Sequence, residues 1–318
     1  MKREIGITKN VDMIQGPIFK SLVLFALPLL GSNIFQQLYN TVDTMIVGNY
    51  LGDGSLAAIG VCTPVYELLV GFALGIGNGL AIVTARNYGS GDMEELKKSV
   101  ASSLVIGLLS SLAITLAGWF CLYPLLKVLN TPPEILDEAY GYISTVTLFV
   151  LVMFAYNLCA GFLRSIGNSF MPLVFLILSS CINIVLDILF ITRLNMGVRG
   201  AAAATVISQG ISVILCGAYI LKKTRILVPE RRHFQPDKKL YRELLGQGFS
   251  MGFMHCLVSA GSAILQVGIN GLGYLTIAGH TAARKLCQFC LMPFSAMISA
   301  VNTFVSQNYG AGEKARIR

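Results

Sequence analysis

Long apolar segments separated by short polar ones make up most of the chain. Eight of the apolar segments are long enough to cross the hydrocarbon core of a bilayer, which takes about 20 helical residues. They lie at 18–43, 54–85, 99–122, 138–162, 169–192, 200–221, 244–270 and 275–306. In lipid, only helices and closed barrels satisfy their backbone groups, and these segments are too long and continuous for barrel strands. The pattern therefore predicts an all-α integral membrane protein with eight transmembrane helices.

The composition supports the same interpretation. Of the 318 residues, 54% are hydrophobic and 13% are charged, whereas an average soluble domain carries about 25% charged residues. This balance argues against a soluble enzyme and against a disordered chain. The net charge of +8 could indicate a nucleic-acid-binding face. Because the basic residues lie in short segments between apolar ones, a membrane protein without a nucleic-acid partner explains them better.

The distribution of the basic residues predicts an orientation. If the N-terminus is cytoplasmic, 19 Lys and Arg residues fall on the cytoplasmic side, and only Lys127, Arg193 and Arg199 fall outside. Such an excess is typical of the cytoplasmic loops of multi-pass proteins. We therefore expect a protein of the cytoplasmic membrane, with both ends of this chain on the cytoplasmic side.

A polar, basic segment at 222–243 divides the chain after the sixth apolar segment. The residues on its two sides repeat at an offset of 221, so that 49–52 matches 270–273 and 87–91 matches 308–312. One offset without a gap produces both matches. This regularity indicates an internal repeat.

The repeat predicts two lobes that run in the same direction, because six spans, an even number, separate equivalent points. We expect a complete lobe of six helices at 1–221, a cytoplasmic linker at 222–243, and the first two helices of a second lobe at 244–318. Doubling the repeat predicts a whole protein of twelve transmembrane helices and about 440 residues. This chain would hold eight of those helices.

Five ionisable residues lie inside the predicted membrane segments: Asp43, Glu67, Asp187, Arg284 and Lys285. A charge at the centre of a bilayer costs about 2.5–3.5 kcal/mol on insertion scales, so such residues usually face a cavity. They are therefore the candidate functional residues. No metal-ligand spacing and no catalytic set of side chains is apparent in the sequence. We expect no enzyme activity and no cofactor, and no bound ion other than H⁺ or Na⁺.

Asp43 belongs to a polar stripe on the first helix. Gln36, Tyr39 or Asn40, and Asp43 recur at the spacing of one helical face. A polar face turns away from lipid, toward protein or water. We interpret Asp43 as a cation- or proton-binding carboxylate, with the other three residues along a substrate cavity. The alternative is an Asp at the helix end that is solvated among the headgroups.

Asp187 lies in the fifth predicted helix, with Asn183 one turn earlier on the same face. A carboxylate beside an amide could load and release a proton, and the same oxygens could bind Na⁺. Asn157 and Thr205 add polar atoms to the fourth and sixth helices. Together these residues predict a polar pocket inside the first lobe. The alternative is an Asp187 that only forms hydrogen bonds in helix packing.

Glu67 and the pair Arg284 and Lys285 occupy related places in the repeat, one turn apart. We expect a salt bridge between the lobes that closes the outer half of a central cleft. The alternative is that the basic pair extends toward the bilayer surface or meets other groups. Pro28 removes a backbone hydrogen bond from the first helix. It is a candidate hinge, with a static bend as the alternative.

Several segments resemble the multidrug and toxic-compound extrusion (MATE) transporters. They are the N-T-V-D-T-M-I-V-G segment of the first helix, the exit loops R-N-Y-G-S-G and Q-N-Y-G-A-G, the N-I-V-L-D-I-L-F-I segment of the fifth helix, and the six-plus-six repeat. The resemblance covers all 318 residues. It implies an alternating-access antiporter that exports cationic amphipathic compounds in exchange for H⁺ or Na⁺. We expect it to act as a monomer.

The resemblance also implies which residues bind the coupling ion. The site would consist of Asp43, Asn183, Asp187 and Thr205, with Asn157 and Tyr39 close by and Gln36 along the cavity. Some members of the family carry an essential acid in the seventh helix. Residues 244–270 contain none, so coupling here should depend on the carboxylates of the first lobe.

Two other functions remain as alternatives. A flippase for lipid-linked sugars, in the same superfamily, would line its central cleft with basic groups, and only Arg284 and Lys285 suggest this. A membrane enzyme or assembly subunit would need a catalytic set of residues at one interface. The charge of the central cavity should discriminate, since we expect it to be negative for a drug exporter and positive for the flippase.

Overall fold

The computed structural model describes residues 10–129, 131–270 and 274–318, and every regular element in those residues is helical. The helices are α1 (Ile18–Leu51), α2 (Asp53–Gly89), α3 (Met93–Val128), α4 (Pro133–Leu148), α5 (Val150–Ser165), α6 (Phe170–Ile188), α7 (Gly197–Lys223), α8 (Lys238–Asn270), α9 (Tyr274–Gly310) and α10 (Lys314–Ile317). A π-helical turn at Leu189–Arg193 continues α6, and 3₁₀ turns at Arg225–Leu227 and Arg231–Phe234 lie between α7 and α8. The all-α prediction is confirmed for these residues.

The described helices give fewer candidate membrane spans than the eight apolar segments of the sequence. Six of them are long and apolar enough to cross a membrane, namely α1, α2, α3, α6 with its π-helical turn, α7 and α9. α4 and α5 together form a seventh candidate. α8 has 33 residues, some of which lie outside the residues whose side chains are described, and it is not among these candidates. The count of eight spans therefore stays a prediction.

The fourth predicted span, 138–162, is bent rather than continuous. α4 and α5 meet at an angle of 46°, with Phe149 between them at φ −104° and ψ 19°. The Oγ1 of Thr115 on α3 donates to the carbonyl of Thr147 at 3.1 Å. This bond provides a partner for a carbonyl near the end of α4, where intrahelical partners run out. The break depends on a contact from another helix, which the apolar pattern cannot show.

Other helices extend beyond the predicted apolar segments. α1 continues to Leu51, and α3 begins at Met93 because the carboxylate of Asp92 accepts hydrogen bonds from the backbone N–H of Glu94 and Glu95 at 3.0 and 3.1 Å. Apolarity measures the part of a helix in the hydrocarbon core and misses its polar ends. Pro28 lies inside the continuous α1, so its role as a hinge stays a prediction.

The bounds of the helices follow the predicted repeat. α2 and α9 begin and end 221 positions apart. The turns after them are also alike, since Gly91 and Gly312 have φ of +76° and +77°, a left-handed conformation that glycine adopts without steric cost. The match at 270–273 lies partly outside the described residues. The twelve-helix whole and the division into two lobes stay predictions.

Close backbone contacts join α2 to α8 and α9. A Cβ on Gly75 would lie 2.6 Å from the Cα of Gly252. Further along, a Cβ on Gly310 would overlap the backbone carbonyl of Arg86, and one on Gly89 would overlap the carbonyl of Gln307. Small residues at helix crossings allow this approach. The contacts lie toward the end of the molecule that we predict to be cytoplasmic.

The predicted linker folds against the start of α3. His233 is 1% exposed, and its Nδ1 accepts a hydrogen bond from the backbone N–H of Glu230 at 2.8 Å. The Nε2 of the same ring lies 3.0 Å from the carboxylate of Glu94, so a neutral ring carries its proton there. The hydrogen bond from Lys97 and the charge of Arg232 hold the pKa of Glu230 below its ordinary value.

We expect His233→Ala to loosen this linker and to lower the free energy of unfolding by about 1–3 kcal/mol, because it removes a buried ring and leaves the backbone N–H of Glu230 without its acceptor. The measurements are the apparent melting temperature and the hydrogen exchange of residues 228–236. Arg231→Ala removes an exposed neighbouring side chain and should change neither. Equal effects of the two substitutions would contradict a structural role for His233.

Candidate functional site

α1, α6 and α7 bring together polar side chains that the sequence selects. Asn183 and Asp187 lie one turn apart on α6 and are 1% and 0% exposed. The Nδ2 of Asn183 donates to the Oγ1 of Thr205 on α7 at 3.4 Å. The hydroxyl of Tyr39 on α1 lies 3.3 Å from the same oxygen. Thr205 therefore connects the three helices inside the protein.

Asp43 completes this group from α1. Its carboxyl group lies close enough to that of Asp187 for the two groups to interact electrostatically. Two carboxylates at such a distance repel each other unless a proton or a cation lies between them. The arrangement is therefore suited to hold a shared proton or a small cation.

Several oxygens around this pair have no hydrogen-bond donor among the described residues. They are both Oδ atoms of Asp187, the Oδ1 of Asp43, the Oδ1 of Asn183 and the Oε1 of Gln209. Buried polar atoms are rarely left unsatisfied, so each such atom calls for an explanation. A bound proton, or a metal ion that takes oxygen ligands, would satisfy them. Gln209 was not selected from the sequence, although it lies one turn after Thr205 on the same face of α7.

Two tyrosines that sequence reasoning missed also face this group. Tyr66 of α2 and Tyr142 of α4 lie close enough to Asp43 for electrostatic interaction. In the sequence each looks like an aromatic core residue within an apolar segment. The hydroxyl group of each tyrosine could have indicated a polar neighbour, because a buried tyrosine usually needs a hydrogen-bond partner.

Other predicted site residues are not joined to the pair by any described hydrogen bond. The Nδ2 of Asn157 donates to the carbonyl of Met153 in its own helix at 2.8 Å. Gln36 and Asn40 are exposed on α1. The roles of these three residues in ion binding or in the substrate cavity stay predictions.

The expected salt bridge between Glu67 and the basic pair on α9 is not formed. Among the described residues, no ion pair within 4.0 Å joins Glu67 to Arg284 or Lys285, and Glu67 and Lys285 are exposed. The close backbone contacts between α2 and α9 lie around Gly89 and Gly310, several helical turns away from Glu67.

Near that crossing, an ion pair and a hydrogen bond that the sequence did not predict join α2 to α8 and α5 to α9. Arg86 of α2 forms a two-point ion pair with Glu243 of α8, in which Nη2 and Oε2 are 2.9 Å apart. The Nε2 of Gln307 on α9 donates to the carbonyl of Ser165 at the end of α5 at 2.7 Å. Both bonds join elements of the first seven helices to α8 or α9.

Residues 11–16 cross the same face. The backbone N–H of Val11 donates to the carbonyl of Gly167 at 2.8 Å. On the other side, Asn308 donates to the carbonyl of Met13 at 3.0 Å, and Arg316 donates to that of Gly16 at 2.6 Å. This segment, together with the ion pair and the glycine contacts, closes one end of the molecule.

Comparisons with known proteins all find membrane transporters of one family. The sequence profile of the MatE family matches residues 28–189 and 251–318. The probable multidrug resistance protein YpnP of Bacillus subtilis strain 168 is 29% identical over 309 residues, which cover 97% of this chain and 69% of YpnP. The chain spans about two thirds of the length of the curated relatives it matches.

Solved structures agree with the sequence relatives. A multidrug resistance MATE transporter of the MOP superfamily in an outward-facing conformation is 26% identical, with a TM-score of 0.90 over 98% of this chain and 70% of that one. A MOP superfamily transporter from Pyrococcus furiosus is 27% identical, with the same TM-score and the same coverage. The reverse polarity of the binding pocket of that transporter is described as suggesting a different function.

Proposed function

The chain belongs to the MatE family of membrane transporters, and from that premise we propose that it exports amphipathic compounds by exchange with H⁺ or Na⁺. Relatives named as multidrug resistance and multidrug export proteins support export. The observation that carries the exchange is the pair of Asp43 and Asp187, since three of their four carboxylate oxygens have no hydrogen-bond donor among the described residues. These oxygens would bind the coupling ion, with Asn183, Thr205 and Tyr39 positioning them.

Coupling would follow from the charge of this pair. Without an ion, the two carboxylates repel each other, and a proton or Na⁺ between them removes the repulsion. Ion binding therefore favours the arrangement of α1, α6 and α7 that holds the two groups together. Moving one elementary charge through 100 mV supplies about 2.3 kcal/mol, enough to shift a two-state equilibrium about 50-fold.

The contacts at one end of the molecule support alternating access. The ion pair between Arg86 and Glu243 and the crossing of Gly89 with Gly310 hold α8 and α9 against α2 there. For a substrate to reach the cleft from that end, these contacts must separate. We propose that this end is cytoplasmic, with the chain ends on that side, and that the protein acts as a monomer in the cytoplasmic membrane.

The names of the relatives favour an exporter over a flippase for lipid-linked sugars. The charge of the cavities does not discriminate between the two, because the site at Asp43 and Asp187 is acidic while the described lining of the cavity at Arg164 contains no Asp or Glu. Cationic amphipathic substrates follow from the family resemblance. Phe and Met side chains would bind the apolar part of such compounds loosely, because methionine adapts its shape and aromatic rings offer large flat surfaces.

Efflux from proteoliposomes tests the proposed function. We expect the full-length protein to expel a fluorescent lipophilic cation when either a pH gradient or a Na⁺ gradient is applied, and to remain at the leak rate without a gradient. The gradient that drives efflux identifies the coupling ion. Efflux that stays at the rate of empty liposomes under both gradients would contradict ion-coupled export.

A further inference from the structure

A second polar cavity, separate from the carboxylate pair, lies between α2 and α5 on one side and α8 and α9 on the other. Its volume is about 280 Å³. It shares no residue with the group around Asp43 and Asp187. No Asp or Glu occurs among its described lining residues, whereas Arg164 and His255 do. The described part of the cavity is therefore positive, while the carboxylate pocket is negative.

The polar side chains of this cavity are rich in unused hydrogen-bond donors. Among the described residues, Arg164, Asn78, His255 and Asn302 form no side-chain hydrogen bond or ion pair. Arg164 stands in the last turn of α5, where the helix dipole favours a cation. The interaction with the dipole involves the charge of the guanidinium group and does not occupy its five N–H donors, which remain available to a ligand.

We propose that this cavity binds the oxyanion of an amphipathic substrate, a carboxylate or a sulfonate, through Arg164. The guanidinium group presents parallel donors that match a carboxylate or sulfonate in two-point hydrogen bonds. Asn78 and Asn302, from α2 and α9, face the same cavity and can add amide donors.

The apolar part of the cavity suits the rest of such a molecule. Met251, Met254 and Ile298 line it beside the polar groups. Methionine side chains adapt to aromatic rings of different shape. A volume of about 280 Å³ accommodates the acid-bearing ring of a larger amphiphile, since pockets for whole drug-sized molecules begin at about 300 Å³.

The inference deepens the proposed function by naming a substrate class, and it rests on that function for transport but not for binding. The substrates would be amphiphiles that carry an acid group, including zwitterions with a cationic ring system. A purely cationic amphiphile makes no such bond to Arg164 and should therefore bind in this cavity more weakly than its acid-bearing analogue.

Two rhodamines test the proposal, because they differ in a single group. Rhodamine B carries a free carboxylate, and its ethyl ester has the same ring system without that charge. Binding to the full chain in nanodiscs is measured by fluorescence anisotropy, with no ion gradient and with empty nanodiscs subtracted. We expect the acid to bind about tenfold more tightly than the ester, as for a charged hydrogen-bonded pair.

Substitutions locate the effect. Arg164→Gln should weaken binding of the acid about tenfold and leave the ester within twofold, whereas Arg164→Lys should keep part of the preference. Arg193→Gln removes an exposed arginine outside the cavity and should change neither ligand. Equal binding of acid and ester to the unsubstituted chain would overturn the proposal, and so would an equal loss for both ligands in Arg164→Gln.

The binding measurement and the efflux measurement can fail independently of each other. If Arg164→Gln does not reach the membrane, the comparison of acid and ester on the unsubstituted chain decides the proposal, and Asn302→Leu should reduce the preference. Binding is measured without a gradient, so a lack of ion-driven efflux would count against the proposed function alone. Efflux of the ester with no preference for the acid would count against the cavity alone.

Discussion

Asp187→Asn should reduce gradient-driven efflux to the leak rate, a loss of at least about tenfold, or 1.4 kcal/mol. The substitution keeps the size of the side chain and its place beside Asn183, but it removes the charge that a proton or Na⁺ would neutralise. Asp187 is 0% exposed, and neither of its carboxylate oxygens has a donor in the part of the chain that the structure describes. The measurement is dye efflux from proteoliposomes under a pH gradient and, separately, a Na⁺ gradient.

Two comparisons make this result specific. Asp137→Asn makes the same chemical change at an exposed position of α4 and should leave efflux unchanged. If Asp43 and Asp187 share one ion, the double substitution should be no worse than the more severe single one, because interacting groups are not additive. Efflux that persists in Asp187→Asn, with its dependence on the gradient intact, would show that the coupling ion binds elsewhere.

Gly310→Ala should separate the ends of α2 and α9 and shift the protein toward a state that is open at that end. The added methyl group would overlap the backbone carbonyl of Arg86 and lie 3.0 Å from the backbone nitrogen of Ser90. Backbone atoms cannot rotate away as a side chain does. Overpacking of this kind costs about 1–3 kcal/mol, which corresponds to a shift of about 5- to 150-fold between two states.

The distance between spin labels at Met93 and Lys314 measures this shift, in a background in which the eight native cysteines are replaced. We expect a longer and broader distribution than in the unsubstituted protein. Gly246→Ala is the matched control, because no atom lies within 4 Å of the added methyl group and alanine favours a helix. An unchanged distance in Gly310→Ala would mean that the crossing of α2 and α9 does not hold this end closed.

The sequence predicted the candidate site better than it predicted the contacts between helices. Asp43, Asn183, Asp187 and Thr205 could be selected because an ionisable or amide side chain in an apolar helix is costly and therefore rarely accidental. Helical periodicity then placed Asn183 and Asp187 on one face. Tyr66 was missed because the contribution of a tyrosine to a polar site depends on what its hydroxyl meets, which periodicity does not reveal.

Contacts between distant segments were not predictable in the same way. The ion pair of Arg86 with Glu243 joins residues from two separate helices, and each residue alone looks like a solvated charge at a helix end. The expected partner of Glu67 was wrong in this conformation for a related reason. The repeat identifies equivalent positions in two helices, but equivalent positions need not be in contact with each other.

By itself the sequence determined the all-α class, the places of most helices and the repeat offset of 221, and it selected Asp43, Asn183, Asp187 and Thr205 as candidates for the carboxylate site. The helices and the candidate residues follow from the cost of putting polar atoms into lipid, which acts on every residue separately, and the offset follows from matching one part of the sequence with another. Only the tertiary structure decided the bend at Phe149, the closed end around Gly89 and Gly310, and the positive cavity at Arg164. These features depend on which helices touch and how closely, because backbone contact and unpaired donors are properties of two or more segments together.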